Sequence, residues 1–217
     1  MIYLCPDIYG FDLQMALDMA SPERREKALR YRHARDRRLC LAAYGLLQDG
    51  LRGDFGIRGE QPVFIYNDKG KPLLQGHPDV HFSLSHCRDA VAAAIDDRPV
   101  GIDIENYDNY SEEVARTVMS DEEMRDILSS PRPAVAFTRL WTMKESLYKL
   151  TGDDHSGDIA HMLDDTATCY EFTTIDYPDY LLTTCQLKQD LANATPTAIK
   201  TVLHLFHQPD TIPDSNQ

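Results

Sequence analysis

Two short segments, about forty residues apart, limit what this chain can become. Val100-Gly101-Ile102-Asp103-Ile104-Glu105 alternates apolar and polar residues, whereas Trp141-Thr142-Met143-Lys144-Glu145-Ser146-Leu147-Tyr148-Lys149 repeats its large polar and aromatic groups every four residues. A period of two fits a strand, so Asp103 and Glu105 project from one face while Val100, Ile102 and Ile104 pack on the other. The four-residue spacing fits a helix that stacks Trp141, Glu145 and Lys149 on one face beside an apolar stripe of Met143, Leu147 and Leu150. A fold that lays this helix on this strand collects three carboxylates and an ammonium at one point. Mg²⁺ suits oxygen donors of that kind, because it binds through one or two carboxylates, water and substrate phosphate. Zinc is a poor fit, since no Cys or His residues are paired at structural spacing. Taken singly, Glu145 and Lys149 would be an ordinary ion pair along a helix, and Asp103 and Glu105 solvated residues of an edge strand.

A third segment changes that balance. His81-Phe82-Ser83-Leu84-Ser85-His86 precedes an expected hairpin of residues 90–95 and 100–104, with Asp96-Asp97-Arg98-Pro99 as its turn. Here the chain resembles the 4′-phosphopantetheinyl transferases, specifically the larger Sfp-like group. Their pattern is present in order as Gly70-Lys71-Pro72, Phe82-x-x-Ser85-His86, Gly101-x-Asp103-x-Glu105 and Trp141-x-x-Lys144-Glu145-x-x-x-Lys149. The basic stretch opening at Ser21-Pro22-Glu23-Arg24 also looks like the N-terminal basic segment of that family. The resemblance covers roughly residues 21–150 and is expected to extend over the whole chain.

Charge sharpens the picture. The chain of 217 residues carries a net −13, yet residues 24–38 hold eight Lys or Arg against Glu26 and Asp36, leaving −19 on the rest. A basic window on an acidic protein steers a particular anion, whereas a general nucleic-acid binder is more often basic throughout. A helix capped by Ser21 could equally display part of this window to water. The five cysteines are odd in number and scattered, and no apolar run is long enough for a signal or membrane segment, so a cytoplasmic protein is expected.

The resemblance implies an α/β (α+β) fold of two similar halves related by pseudo-twofold symmetry, here 1–106 and 107–217, with a monomer as the expected state. The first half reads as an N-terminal strand, helices over 22–33 and 35–51, and strands near 63–67, 80–85, 90–95 and 100–104. The second reads as helices near 112–118, from the Ser120-Asp-Glu-Glu123 capping box to 128 and over 134–150, then a three-stranded sheet from 170–175, 180–186 and 200–206. A polar, Pro-containing tail follows from about 208.

The same resemblance implies a reaction: the phosphopantetheine arm of coenzyme A passes to a serine of an apo acyl or peptidyl carrier protein, releasing adenosine 3′,5′-bisphosphate. It assigns Asp103, Glu105 and Glu145 to Mg²⁺, with Mn²⁺ as an alternative, Glu145 to the general base and Lys149 to a phosphate. Arg24, Lys27 and His86 match positions at the adenosine 3′-phosphate, Lys71 one at the nucleotide end, and Ser85 one at the pyrophosphate. Leu39 stands where many relatives place an Arg, with Arg38 or Arg37 as its candidate substitute. Val114 and Met119 are candidates for carrier docking. Other readings are a non-catalytic relative that binds coenzyme A or carrier, and a Mg²⁺-dependent phosphate-ester hydrolase. No nucleic-acid or membrane partner is expected.

Overall fold

The computed structural model describes residues 1–58, 61–152, 158–164, 166–188, 198–203 and 205–206. The chain opens with β1 (Ile2–Cys5), α1 (Leu13–Met19), α2 (Pro22–Arg30) and the long α3 (Ala34–Gly53). The hairpin β2 (Phe64–Tyr66) and β3 (Pro72–Leu74) follows, then β4 (His81–His86), β5 (Val91–Asp96) and β6 (Val100–Asn106). The remainder is α4 (Glu112–Val118), α5 (Asp121–Ser129), α6 (Pro133–Thr151), β7 (Tyr170–Asp176), β8 (Tyr180–Leu187) and β9 (Ile199–Thr201).

Local chemistry sets these boundaries. The Asp12 side chain accepts the Met15 N–H to start α1, and Ser21 accepts from Arg24 to start α2 with Pro22 in its first turn. At Ser120 the capping box forms in both directions, Ser120 with the Glu123 N–H and Glu123 with the Ser120 N–H. Pro133 opens α6 and Gly152, at φ 63°, closes it in the left-handed conformation that favours glycine.

Two sheets are packed face to face between helices. The first has the order β4-β5-β1-β9 and the second β6-β8-β7. On one side of the first sheet, Tyr3, Ala93 and Ile95 pack with Leu41, Tyr44, Leu46 and Leu47 of α3. Ile2, Leu4, Ala92 and Ala94 leave by the opposite face and meet Val100, Ile102, Ile104 and Leu182 of the second sheet. Burying each Ile or Leu there contributes roughly 1.5–3 kcal/mol. Beyond the second sheet lies α6, whose Leu147 and Leu150 pack with Cys185. The expected alternation of residues 100–105 therefore holds, with the apolar set toward the first sheet and Gly101 and Asp103 toward α6.

Several expectations are corrected. Residues 90–95 and 100–104 do not form a hairpin: both edges of β5 are occupied, by β4 and β1, so β6 turns away and pairs antiparallel with β8. The last strand is shorter than 200–206 and does not extend the β7–β8 sheet; β9 lies parallel to β1 in the first sheet. Helix α2 ends at Arg30, where Tyr31 adopts an extended backbone, rather than at His33. Neither α1 nor β3 was anticipated, and the tail from about 208 lies outside the described residues. No helix among those described is long and apolar enough to cross a membrane.

Candidate active site

The site grows from a close approach of helix to strand. A Cβ placed on Gly101 would lie 1.8 Å from the Ser146 carbonyl oxygen and 2.8 Å from the Leu150 nitrogen, so the α6 backbone rests directly on β6. Small polar side chains on the same helix face, Thr138, Thr142 and Ser146, keep that approach possible, and the Thr142 hydroxyl lies 2.7 Å from that of Thr183 on β8. This contact carries Lys149 over the strand. Its ammonium donates to Asp103 Oδ1 at 2.6 Å and to Ser85 Oγ at 3.0 Å, reaching across to β6 rather than along the helix to Glu145.

The serines of β4 stitch the two sheets together. Ser83 Oγ accepts the Ile102 N–H at 3.1 Å and Ser85 Oγ accepts the Ile104 N–H at 3.3 Å, which satisfies donors on the free edge of β6. Ser85 in turn donates to Asp103 Oδ1 at 2.8 Å. Asp103 is 2% exposed, and its second oxygen, Oδ2, is buried with no hydrogen-bond partner.

Three carboxylates share this place with one ammonium. Burial pushes the Glu105 carboxyl up to about 7, with the Asp103 charge adding to the rise and the Asn109 hydrogen bond opposing it. Burial likewise raises Glu145, again with help from Asp103 and against the pull of Lys149. The group is thus short of positive charge.

That shortage bears on a metal. Among the described residues no three His, Cys, Asp or Glu side chains are placed to hold a metal ion by themselves. Mg²⁺ rarely asks for such a cage, since it keeps several waters and takes substrate phosphate oxygens. An all-oxygen donor set, an orphaned buried carboxylate oxygen and carboxyls raised by burial and then by neighbouring charge fit a hard divalent cation completed by substrate.

Two clefts flank the carboxylates. One, of about 230 Å³, is lined by Lys69, Lys71, Pro72, Phe82, Tyr148 and Lys149, among others. The Lys71 ammonium donates to the Leu150 carbonyl at 2.9 Å, and burial lowers its pKa. The other, of about 140 Å³, brings together Arg24, Lys27, Asp36, Leu39, Cys40 and His86. Arg24 lies over the rings of Tyr44 and Phe64, 5.1 Å from each. His86, which lines the second cleft, feels the charges of Lys149 and Asp103, so that cleft lies near the carboxylate cluster, while Lys149 joins the cluster to the first.

The basic window divides accordingly. Only Arg24 and Lys27 of its eight cations line the second cleft. Arg38 is turned away: it donates to the carbonyls of Ile8 and Phe11 at 3.2 and 2.6 Å and covers the Phe11 ring. Arg37 donates to the carbonyl of Tyr31, whose residue does line the cleft. Arg25, Arg30 and Arg35 pair with Asp18, Glu26 and Asp36.

Two residues matter more than sequence reasoning suggested. Lys144 points away from Glu145, as the helical turn requires, and is 1% exposed. Its ammonium is claimed by the carbonyls of Val118, Ile159 and Ala160 and by Glu123 at 2.7 Å, which ties α4, α5 and the turn at 159–161 to α6. Asn109, in the turn that follows β6, donates to Glu105 Oε2 at 2.8 Å. A lysine inside a helix motif signals nothing about burial, and an asparagine in a turn is ordinary, so neither stood out. Trp141 stacks on Phe137, with centroids 6.3 Å apart, and packs the helix. Val114 is exposed on α4, whereas Met119 is buried in the core beneath it.

Comparison with known proteins agrees with this architecture. The family description "4′-phosphopantetheinyl transferase superfamily" matches residues 99–191, which include β6, α6 and the β7–β8 pair. 4′-Phosphopantetheinyl transferase Sfp of Bacillus subtilis is 30% identical over 205 residues, 87% of this chain and 92% of that protein. 4′-Phosphopantetheinyl transferase psf-1 of Bacillus pumilus is 39% identical over 132 residues, 60% of this chain and 57% of that protein. The gsp transferase of Aneurinibacillus migulanus is 31% identical over 134 residues and matched over 56% of its length. The fold and these matches define a transferase. The chain belongs to the 4′-phosphopantetheinyl transferase superfamily, among its Sfp-like members.

Proposed function

We propose that this protein moves the 4′-phosphopantetheine arm of coenzyme A onto a serine of an apo acyl or peptidyl carrier protein and releases adenosine 3′,5′-bisphosphate. The observation that carries the reading is the Asp103–Lys149–Ser85 knot, with its unpartnered Asp103 oxygen, set between two basic clefts. Asp103, Glu105 and Glu145 would hold Mg²⁺ or Mn²⁺. When bound, the cation supplies charge stabilisation for the pyrophosphate as its phosphorus–oxygen bond breaks.

The chain's own groups do the rest. Arg24, Lys27 and His86 receive the adenosine 3′-phosphate, and Lys71 borders the nucleotide end. The carrier serine oxygen forms a bond to the phosphorus that bears the pantetheine, its proton passes to Glu145, and the electron pair leaves with the adenosine 5′-phosphate. Burial suits Glu145 to this task by raising its proton affinity above that of an ordinary glutamate. Lys149, already an ammonium donor at Ser85 and Asp103, neutralises the phosphate that arrives beside them. Arg38 is better suited to bracing the loop before α1 than to binding coenzyme A.

We read residues 1–106 and 107–217 as two α/β halves that each lend a strand to the other, β6 to the second sheet and β9 to the first. The enzyme would act as a monomer in the cytoplasm, the reducing compartment that suits five unpaired cysteines. The test is release of adenosine 3′,5′-bisphosphate from coenzyme A with and without apo carrier. Release that needs the carrier is expected; release without it would favour the hydrolase.

A further inference from the structure

The segment that follows β6 performs a task that its turn-rich sequence does not advertise. Residues Tyr107–Asn109 form one 3₁₀ turn fixed at several points to the β7–β8 connection. The Tyr107 N–H and the Asn106 side-chain amide both donate to the Asp179 carbonyl, at 3.3 and 3.2 Å, and the Tyr107 hydroxyl donates to the Tyr177 carbonyl at 3.0 Å. Asn106 also accepts the Arg88 N–H at 2.8 Å. From this braced turn Asn109 reaches back four residues and donates its amide to Glu105 Oε2.

Glu105 needs such a hold. It shares a cluster with Asp103 and Glu145, and both like charges repel its carboxylate. Lys149 attracts it without a hydrogen bond, because that ammonium donates to Asp103 and Ser85. A lysine or arginine in place of Asn109 would restrain Glu105 but would supply the positive charge that a cation should bring. An amide orients the carboxylate and leaves its charge available.

We propose that Asn109 is a positioning residue for the divalent-cation site, fixing Glu105 as an oxygen donor beside Asp103 and Glu145. The inference rests on the metal-site reading given above. Hydrogen bonds to ligating carboxylates typically contribute 10–100-fold to metal affinity, so Asn109→Ala should weaken the cation by about tenfold or more. Asn109 is exposed, and its loss should leave the fold intact.

Mn²⁺ titration of the full chain with saturating coenzyme A and no carrier, followed by electron paramagnetic resonance, tests this with wild type, Asn109→Ala and Asp103→Ala side by side. The expected result is a dissociation constant about tenfold higher for Asn109→Ala, with an unchanged melting temperature in chelator. Turnover should recover as Mn²⁺ is raised to saturation, because the loss lies in metal affinity and not in kcat. Asn109→Ala binding within about twofold of wild type, while Asp103→Ala loses the ion, would overturn the inference and spare the metal site. Undiminished binding by Asp103→Ala would overturn both.

Discussion

Replacing Gly101 by alanine probes the geometry on which the site depends. The added methyl would sit 1.8 Å from the Ser146 carbonyl oxygen, and both partners are backbone, so no side chain can swing aside. Reaching even a 3.0 Å contact requires α6 to lift from β6 by about 1.2 Å. Lys149 travels with the helix, and its 2.6 Å bond to Asp103 would stretch by about the same amount, beyond hydrogen-bonding range. Overpacking of this kind costs about 1–3 kcal/mol, or roughly 2–12 °C in melting temperature for a chain of this size. A misplacement near 1 Å at a reacting centre costs on the order of 100-fold in rate. The assay pairs a thermal melt by circular dichroism with the initial rate of carrier modification at saturating coenzyme A. Gly53→Ala, with nothing within 4 Å of the new methyl, is the control and should leave both readings near wild type. A folded Gly101→Ala enzyme that keeps its melting temperature and works within about threefold of wild type would refute the argument.

Other consequences are equally specific. Lys144→Met strands Glu123 and three carbonyls, and should destabilise the protein by about 3–5 kcal/mol in chemical denaturation. Arg24→Ala should raise KM for coenzyme A by about tenfold or more with a small change in melting temperature, whereas Arg38→Ala should lower stability and leave that KM near wild type. The Asp54 carboxyl is lowered even though burial works to raise it, because hydrogen bonds from Lys200 and Tyr3 outweigh burial. Its contribution is therefore present above the ordinary aspartate value and is lost as pH falls through the lower folded value. Asp54→Asn should cost under about 1 kcal/mol at pH 7, and its melting curve should meet that of wild type only once the pH lies below the lowered folded value.

Legibility followed the range of the signals. Strand and helix periods put Asp103 and Glu105 on one face and Glu145 and Lys149 on another, and both assignments hold in β6 and α6. The capping box at Ser120 marked the start of α5, and the helix expected over 134–150 starts within a residue of Pro133, because caps and first turns are local chemistry. Strand partners are not local. The hairpin expected of residues 90–104 failed because β5 had better neighbours in β4 and in the distant β1, and nothing in its own sequence names them. The role of Gly101 was equally hidden, since a glycine motif does not reveal which backbone will lie against it. The basic window showed its charge but not its division: Arg24 and Lys27 face a cleft while Arg38 serves the carbonyls of a loop. Side-chain destinations depend on the packing of α1, α2 and α3, which the window itself does not encode.

The most direct test of the account is the intact mass of an apo acyl carrier protein incubated with this enzyme, coenzyme A and Mg²⁺, with Asp103→Ala and Glu145→Ala enzymes in parallel. The carrier should gain one phosphopantetheine arm with wild type and none on the same timescale with either variant. Modification of the carrier at wild-type rate by both variants would contradict the assignment of the carboxylate cluster as the reacting centre.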